Sequence, residues 1–221
     1  MSILYILIIL VFIFAIFCQI NVATTFKKYN KKTSEKGNTA EYVARAILDD
    51  NRLYDVKIER VKGHLTDHYD PTTNVVRLSD SVINSTAIGA IGVAAHECGH
   101  AIQHNTGYSF IKARTALFPV VNFANGTWFW LFILGMIMNL AGLIDFAIIL
   151  FSFITLFQLV TLPVELNASS RAIAIIGEEG LVTPEEVPQA RKVLTAAAMT
   201  YIAALAMSVL QLVRLLLIRR D

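Results

Sequence analysis

"ILYILIILVFIFAIF", residues 3–17, contains no charged side chain, and its fate decides the architecture of everything after it. A run of about 18 or more uncharged, mostly apolar residues is long enough to cross the hydrocarbon core of a bilayer as a helix. Uncharged runs recur at 115–144, 146–164 and 193–213. Together they predict four transmembrane helices, at about 3–23, 117–138, 143–162 and 195–217. The first run has no basic stretch before it and no small-x-small cleavage site before the lysines that follow, so it reads as a retained anchor rather than a removed signal. Lys27, Lys28, Lys31, Lys32 and Lys36 come directly after it. The positive-inside bias therefore puts residue 27 onward in the cytoplasm and the N-terminus outside. On a four-span count Arg219 and Arg220 fall on the outer side, against that bias. Asn139, Gly142 and Asp145 mark a turn between the middle two spans. Trp128 and Trp130 suit either an interfacial belt or packing within a helix bundle.

The chain of 221 residues carries a net charge of +2, too small for a nucleic-acid-binding surface. Its two cysteines, Cys18 and Cys98, sit in a span and in a motif respectively and make no disulfide framework. The sequence assigns no oligomeric state.

Two stretches are polar enough to lie outside the bilayer. In 24–116, Asn38 followed by Glu41 resembles a capping box, and Ala40, Val43, Ala44 and Ile47 give the ensuing helix one apolar face. "DVKIERV" (55–61) alternates as a half-buried strand does. "HLTDHYDPTTNVVRLS" (64–79) reads as two extended pieces around a turn at 70–74. Its last part, 74–79, is either an edge strand open to an added peptide or an ordinary sheet strand. Ser85 or Thr86 starts the next helix, which runs to about His104. In the second stretch, 163–194, Pro163 marks a break or a first helical turn, Gly180 a stop, and Thr183-Pro184-Glu185-Glu186 a new helix start. The expected divisions are a 1–23 anchor, a soluble 24–116 domain, a 117–162 helical hairpin, a 163–194 helix and loop, and a 195–221 C-terminal span.

The chemistry concentrates in "VAAHECGHAIQH", 93–104. Three of the five histidines fall within nine residues. Side chains four apart share a helix face, so His96 and His100 can direct two imidazoles at one metal ion. Glu97 adjoins His96 and can serve a metal-activated water as general base. The His-Glu-x-x-His order supplies two neutral ligands and one unligated base, which zinc-dependent hydrolysis requires. The alternative is a helix whose histidines hydrogen-bond into the core. Ala94, Ala95, Gly99 and Ala101 keep this helix slim, which allows close packing around an ion. Catalytic zinc takes a third protein ligand and keeps one position open. Glu165, closing a long apolar run, is either that ligand or an interfacial acid facing water or paired with a lysine. His104 is a candidate oxyanion donor or partner of a ligand, or simply a polar helix end. Arg171 is a candidate to polarise a carbonyl, or it neutralises a nearby acid. His64, Asp67, His68 and Asp70 form either a hydrogen-bonded turn or a second ion site. Cys98 points away from the histidine face and packs.

"AAHECGHAIQH", "GHLTDHYDP", "LFQLVTLPVELNASSRA" and "ARKVLTAAAMTYIAAL" together resemble the YugP-like neutral zinc metallopeptidases, a bacterial membrane family, over nearly the whole chain. The resemblance implies a mainly α integral membrane protein with a small α+β zincin-like catalytic domain, distantly similar to the HtpX-like gluzincins. It implies one Zn²⁺ and peptide or protein substrates cleaved at the cytoplasmic face of the cell membrane. In the HtpX-like enzymes the third ligand is the glutamate of Glu-x-x-Ala-Asp. Here Glu165 and Ala168 fit that pattern, which makes Glu165 the implied ligand, and Ser169 replaces the aspartate that would orient a histidine. Two rival readings remain at this level: a membrane metalloenzyme acting on lipids, and a non-proteolytic scaffold with a structural metal.

Overall fold

The computed structural model describes residues 2–220; Met1 and Asp221, the outer limits of the expected anchor and last span, lie outside the described residues. Among the described residues the chain forms α1 (Ser2–Tyr29), α2 (Ala40–Asp50), β1 (Lys57–Val61), β2 (His68–Asp70), β3 (Val75–Ser79), α3 (Ile88–Asn105), α4 (Ser109–Met138), α5 (Ala141–Glu178) and α6 (Val187–Arg220). Four of these helices, α1, α4, α5 and α6, are long and apolar enough to cross a membrane. The chain divides into two compact units. One holds the segments up to Cys18, Ser109–Val164 and from Thr200 onward; the other holds Gln19–Tyr108 and Glu165–Met199.

In the first unit the core gathers around α5, whose buried Ile144, Ala147, Ile148, Phe151 and Ile154 recur at three- and four-residue steps along one face. Val121, Ala124 and Phe132 of α4 and Leu215 of α6 complete it. Trp128 packs its ring against Phe151, with centroids 4.7 Å apart, whereas Trp130 is 69% exposed; only the first is a packing residue. The turn between α4 and α5 falls at Asn139, which takes a left-handed φ of 54°, a conformation asparagine tolerates at a helix end. A Cβ on Gly135 would lie 2.8 Å from Ile144 Cγ1 and 3.0 Å from Ile144 N, so the glycine permits the tight hairpin. On α1 the large apolar side chains from Ile3 to Ile20 are mostly exposed, as expected of a helix whose solvent is lipid.

The second unit contains a three-stranded sheet in the order β1-β3-β2, with β1 parallel and β2 antiparallel to β3. Val76 and Leu78 of β3 pack with Val43, Ala44, Ile47 and Leu48 of α2, with Ala90, Ile91, Ala94 and Ala95 of α3, and with Ala172, Ile173 and Ile176 of α5. The apolar face expected for α2 is thus the one it buries.

Several local expectations are resolved or corrected. Of the two readings of 74–79 the ordinary sheet strand holds: β3 is central, paired on both sides and nearly buried. The sheet's two edges are β1 and β2. The N-cap of α2 is Thr39, one residue after Asn38; Thr39 is extended and its side chain accepts from Tyr42 N, a bond worth about 1 kcal/mol. Neither Ser85 nor Thr86 caps α3. Its start is satisfied by backbone instead, with Ile88 N donating to Lys32 O. Pro163 does not interrupt α5, which runs unbroken from Ala141 to Glu178. Proline removes one donor from the ladder, and long apolar helices absorb that loss. The residues after 163 therefore continue the third apolar helix, and the expected loop shrinks to the turn around Gly180, which takes φ +60°. At the start of α6, Glu186 closes the anticipated box by accepting from Thr183 N at 2.9 Å. Glu186 also accepts from Ser34 Oγ and Glu35 N, each at 2.8 Å, so this buried carboxylate is well satisfied.

Candidate metal centre

Where α3 crosses α5 the two backbones nearly touch. A Cβ on Gly99 would meet Ala168 O at 2.7 Å and Ala168 Cα at 3.2 Å, closer than real Cβ atoms come. Gly99 and the buried Ala168 therefore allow a contact that larger side chains would prevent. Three residues before Ala168, on the same face of α5, lies Glu165. His96 and His100 rise from the facing side of α3.

His96, His100 and Glu165 bring one donor atom each to within 4.8 Å of one another. His96 Nε2 lies 3.1 Å from His100 Nε2, and Glu165 Oε2 lies 3.3 Å and 3.6 Å from these two nitrogens. A tetrahedral ion with bonds of 2.0–2.1 Å has donor–donor edges of about 3.3 Å. The triangle of two imidazoles and a carboxylate is thus the size a zinc ion requires, and the donor set is one that zinc accepts.

The other ring nitrogens are also engaged. Arg171 Nε donates to Asn167 Oδ1 at 2.8 Å. Because guanidinium only donates, the Asn167 oxygen is the acceptor. Gln103 then presents its NH₂ to that same oxygen, at 3.0 Å, which turns its Oε1 toward His100 Nδ1, also at 3.0 Å. An amide oxygen only accepts, so His100 carries its proton on Nδ1 and leaves the Nε2 lone pair facing the cluster. On the second ligand, Ser169 Oγ sits 3.1 Å from His96 Nδ1. Serine stands where the gluzincin pattern has aspartate, and it makes the ring contact itself. Burial opposes a charge on His100, yet the Glu165 carboxylate, aided by Glu97, outweighs burial and holds this imidazole above its ordinary value.

Glu97 is buried, and its Oε2 accepts from Tyr69 N of β2 at 3.0 Å. The acid beside the first histidine is therefore tied to β2, one of the sheet's two edge strands. His104 does not join the cluster: it is exposed, with its ring 5.9 Å from that of Tyr69. Arg171 reaches the histidines only through Asn167 and Gln103. Cys98 is fully buried and directs its Sγ at Ala44 O, and burial pushes its thiol well up. The 64–70 stretch runs from a bend at 62–65 into β2, and its two acids are taken up by hydrogen bonds. Asp67 accepts from Ser79 N and Oγ, and Asp70 accepts from Thr72 N, Thr73 Oγ1 and Arg77 Nη1. Arg77 in particular holds the Asp70 carboxyl well below the usual range.

Sequence reasoning missed Gln103, Asn167 and Tyr69. Gln103 was within reach, since it follows His100 by three residues and so shares its helix face. Tyr69 was not, because it serves the site through its backbone.

The family described as "Putative neutral zinc metallopeptidase" matches residues 4–220. Among curated proteins, the chain is 50% identical over 200 residues to the "Putative membrane protease YugP" of Bacillus subtilis, covering 90% of this chain and 89% of that protein. No solved structure matches. With a family match across almost its full length, and with four helices fit to span a bilayer, the chain belongs to this neutral zinc metallopeptidase family and is a membrane protein.

Proposed function

We propose that the chain is a membrane-embedded zinc endopeptidase with a zincin-like catalytic unit on the cytoplasmic side. In this reading His96, His100 and Glu165 hold one zinc ion, and Glu97 is the general base. The observation that carries it is the triangle of donors, 3.1, 3.3 and 3.6 Å on its sides, with the far nitrogen of each imidazole held by a neighbour.

When bound, the ion supplies Lewis-acid activation of water and of the scissile carbonyl. The chain's own groups do the rest. Glu97 takes a proton from the attacking water and passes it to the departing amine. The Tyr69 N–H, 3.0 Å from its Oε2, aims that carboxylate. Only three protein donors gather at the cluster among the described residues, which leaves a position for water and favours catalysis over the structural-metal alternative.

Replacing Glu97 by Gln tests the assignment. The variant should keep one zinc per chain while peptide hydrolysis falls at least about 100-fold. Undiminished hydrolysis would remove Glu97 from the mechanism.

A further inference from the structure

Between the end of α1 and the start of α6 runs a furrow of about 520 Å³, within the range of small-molecule sites. Each wall is a single helical stripe. Asn21, Thr25 and Lys28 follow one another at four and three residues along α1. Pro188, Arg191 and Lys192 on α6 are followed by Thr195, Ala196 and Met199 at the same steps.

Three cations, Lys28, Arg191 and Lys192, line it, and no carboxylate does. Elsewhere in the same unit Arg45, Arg60 and Arg77 each pair with an acid. Lys28 lies only over the Tyr29 ring, and Arg191 and Lys192 have no ion pair among the described residues. Three uncompensated positive charges converging on one furrow whose wall is otherwise largely apolar call for an anion with an apolar part.

Depth identifies which anion. α1 has no charged residue from Ile3 to Phe26, and α6 has none from Val193 to Val213. The cations therefore stand within two residues of the ends of both apolar runs, the level of lipid headgroups. Below them the furrow continues past Thr195 and Ala196 to Met199, inside the apolar run. A free phosphate would leave that length uncovered, whereas a ligand with an acyl chain covers it. We propose that this furrow binds an anionic glycerophospholipid, its phosphate among Lys28, Arg191 and Lys192 and its glycerol and upper chain along Thr195 and Met199.

The test is lipid titration of the full-length protein in neutral detergent, read by native mass spectrometry. Phosphatidylglycerol, phosphatidylcholine and glycerol phosphate are compared on wild type, on K28Q/R191Q/K192Q and on the charge-matched control K27Q/K31Q/K36Q. Wild type should prefer phosphatidylglycerol to phosphatidylcholine at least tenfold. The furrow variant should lose that preference and the control should keep it. Equal losses in the two triple variants would reduce the effect to general surface charge and overturn the site. Glycerol phosphate binding as tightly as the lipid would make it a free-anion site and overturn the lipid assignment. R191Q alone, expected to weaken phosphatidylglycerol binding several-fold at unchanged thermal stability, serves if the triple variant does not fold; an unchanged affinity there would equally overturn the site.

Discussion

Because the Arg171 guanidinium can only donate, it orients Asn167, Asn167 orients Gln103, and Gln103 fixes the proton of His100. Side chains that hold a ligand's far nitrogen typically tune metal affinity 10–100-fold. Gln103→Leu and Ser169→Ala should therefore each weaken zinc binding by about 10–100-fold, as measured by competition with a chelator. Unchanged affinity in both would show that the imidazoles orient without them. A different group sets a pH response. Burial, together with nearby Asp50, pushes the Glu179 carboxyl up to about 7. Folded Glu179 thus keeps its proton where the unfolded chain has already released it. Its contribution to stability is complete at low pH and is lost as the pH rises from the ordinary glutamate range through about 7. The melting temperature of the solubilised protein should fall between about pH 5 and about pH 8, and Glu179→Gln should flatten that fall. An equally steep fall in the variant would assign the effect to other groups.

At the level of elements, the site exists because α3 and α5 meet without side chains between their backbones. Gly99→Ala would place a methyl 2.7 Å from Ala168 O, forcing the helices apart and lifting Glu165 from the histidine pair. The variant should lose zinc and melt earlier, whereas the neighbouring Cys98→Ala should keep its zinc. Equal retention by both would show that the crossing tolerates a Cβ. Much of this architecture was legible in the sequence: the long uncharged runs, the apolar face at Ala40, Val43, Ala44 and Ile47, the 70–74 turn and the Thr183–Glu186 start all rest on local spacing. What escaped is set by neighbours. Pro163 reads as a break when only its own backbone is considered, yet the helix continues through it. The central place of β3 depends on strands paired across the chain, and the need for glycine at 99 appears only once Ala168 lies opposite. Of the candidate site, the His96/His100 spacing was readable from one helix, while Glu165 needed the resemblance and then the crossing to join them.

Across the whole molecule, the proposed orientation of the spans rests on the positions of the charges. The lysines from 27 to 36 would face the cytoplasm, and Arg219, at the far end of α6, is met by Asp145 through bonds of 2.6 and 3.1 Å. That pair neutralises Arg219 and leaves Arg220 as the cation set against the bias. A single cysteine introduced at Lys36, in a background lacking Cys18 and Cys98, should react with an impermeant thiol reagent in inverted vesicles and not in intact cells. Labelling of intact cells would reverse the proposed topology and put the catalytic unit outside. The central claim is that Glu165 of the long apolar helix completes a zinc site begun by His96 and His100. Its most direct test is an elemental metal count on the purified wild type and on Glu165→Ala, with circular dichroism to verify folding. The account predicts one zinc per wild-type chain and its loss from the folded variant. Zinc retained at full stoichiometry and affinity after removal of that carboxylate would contradict it.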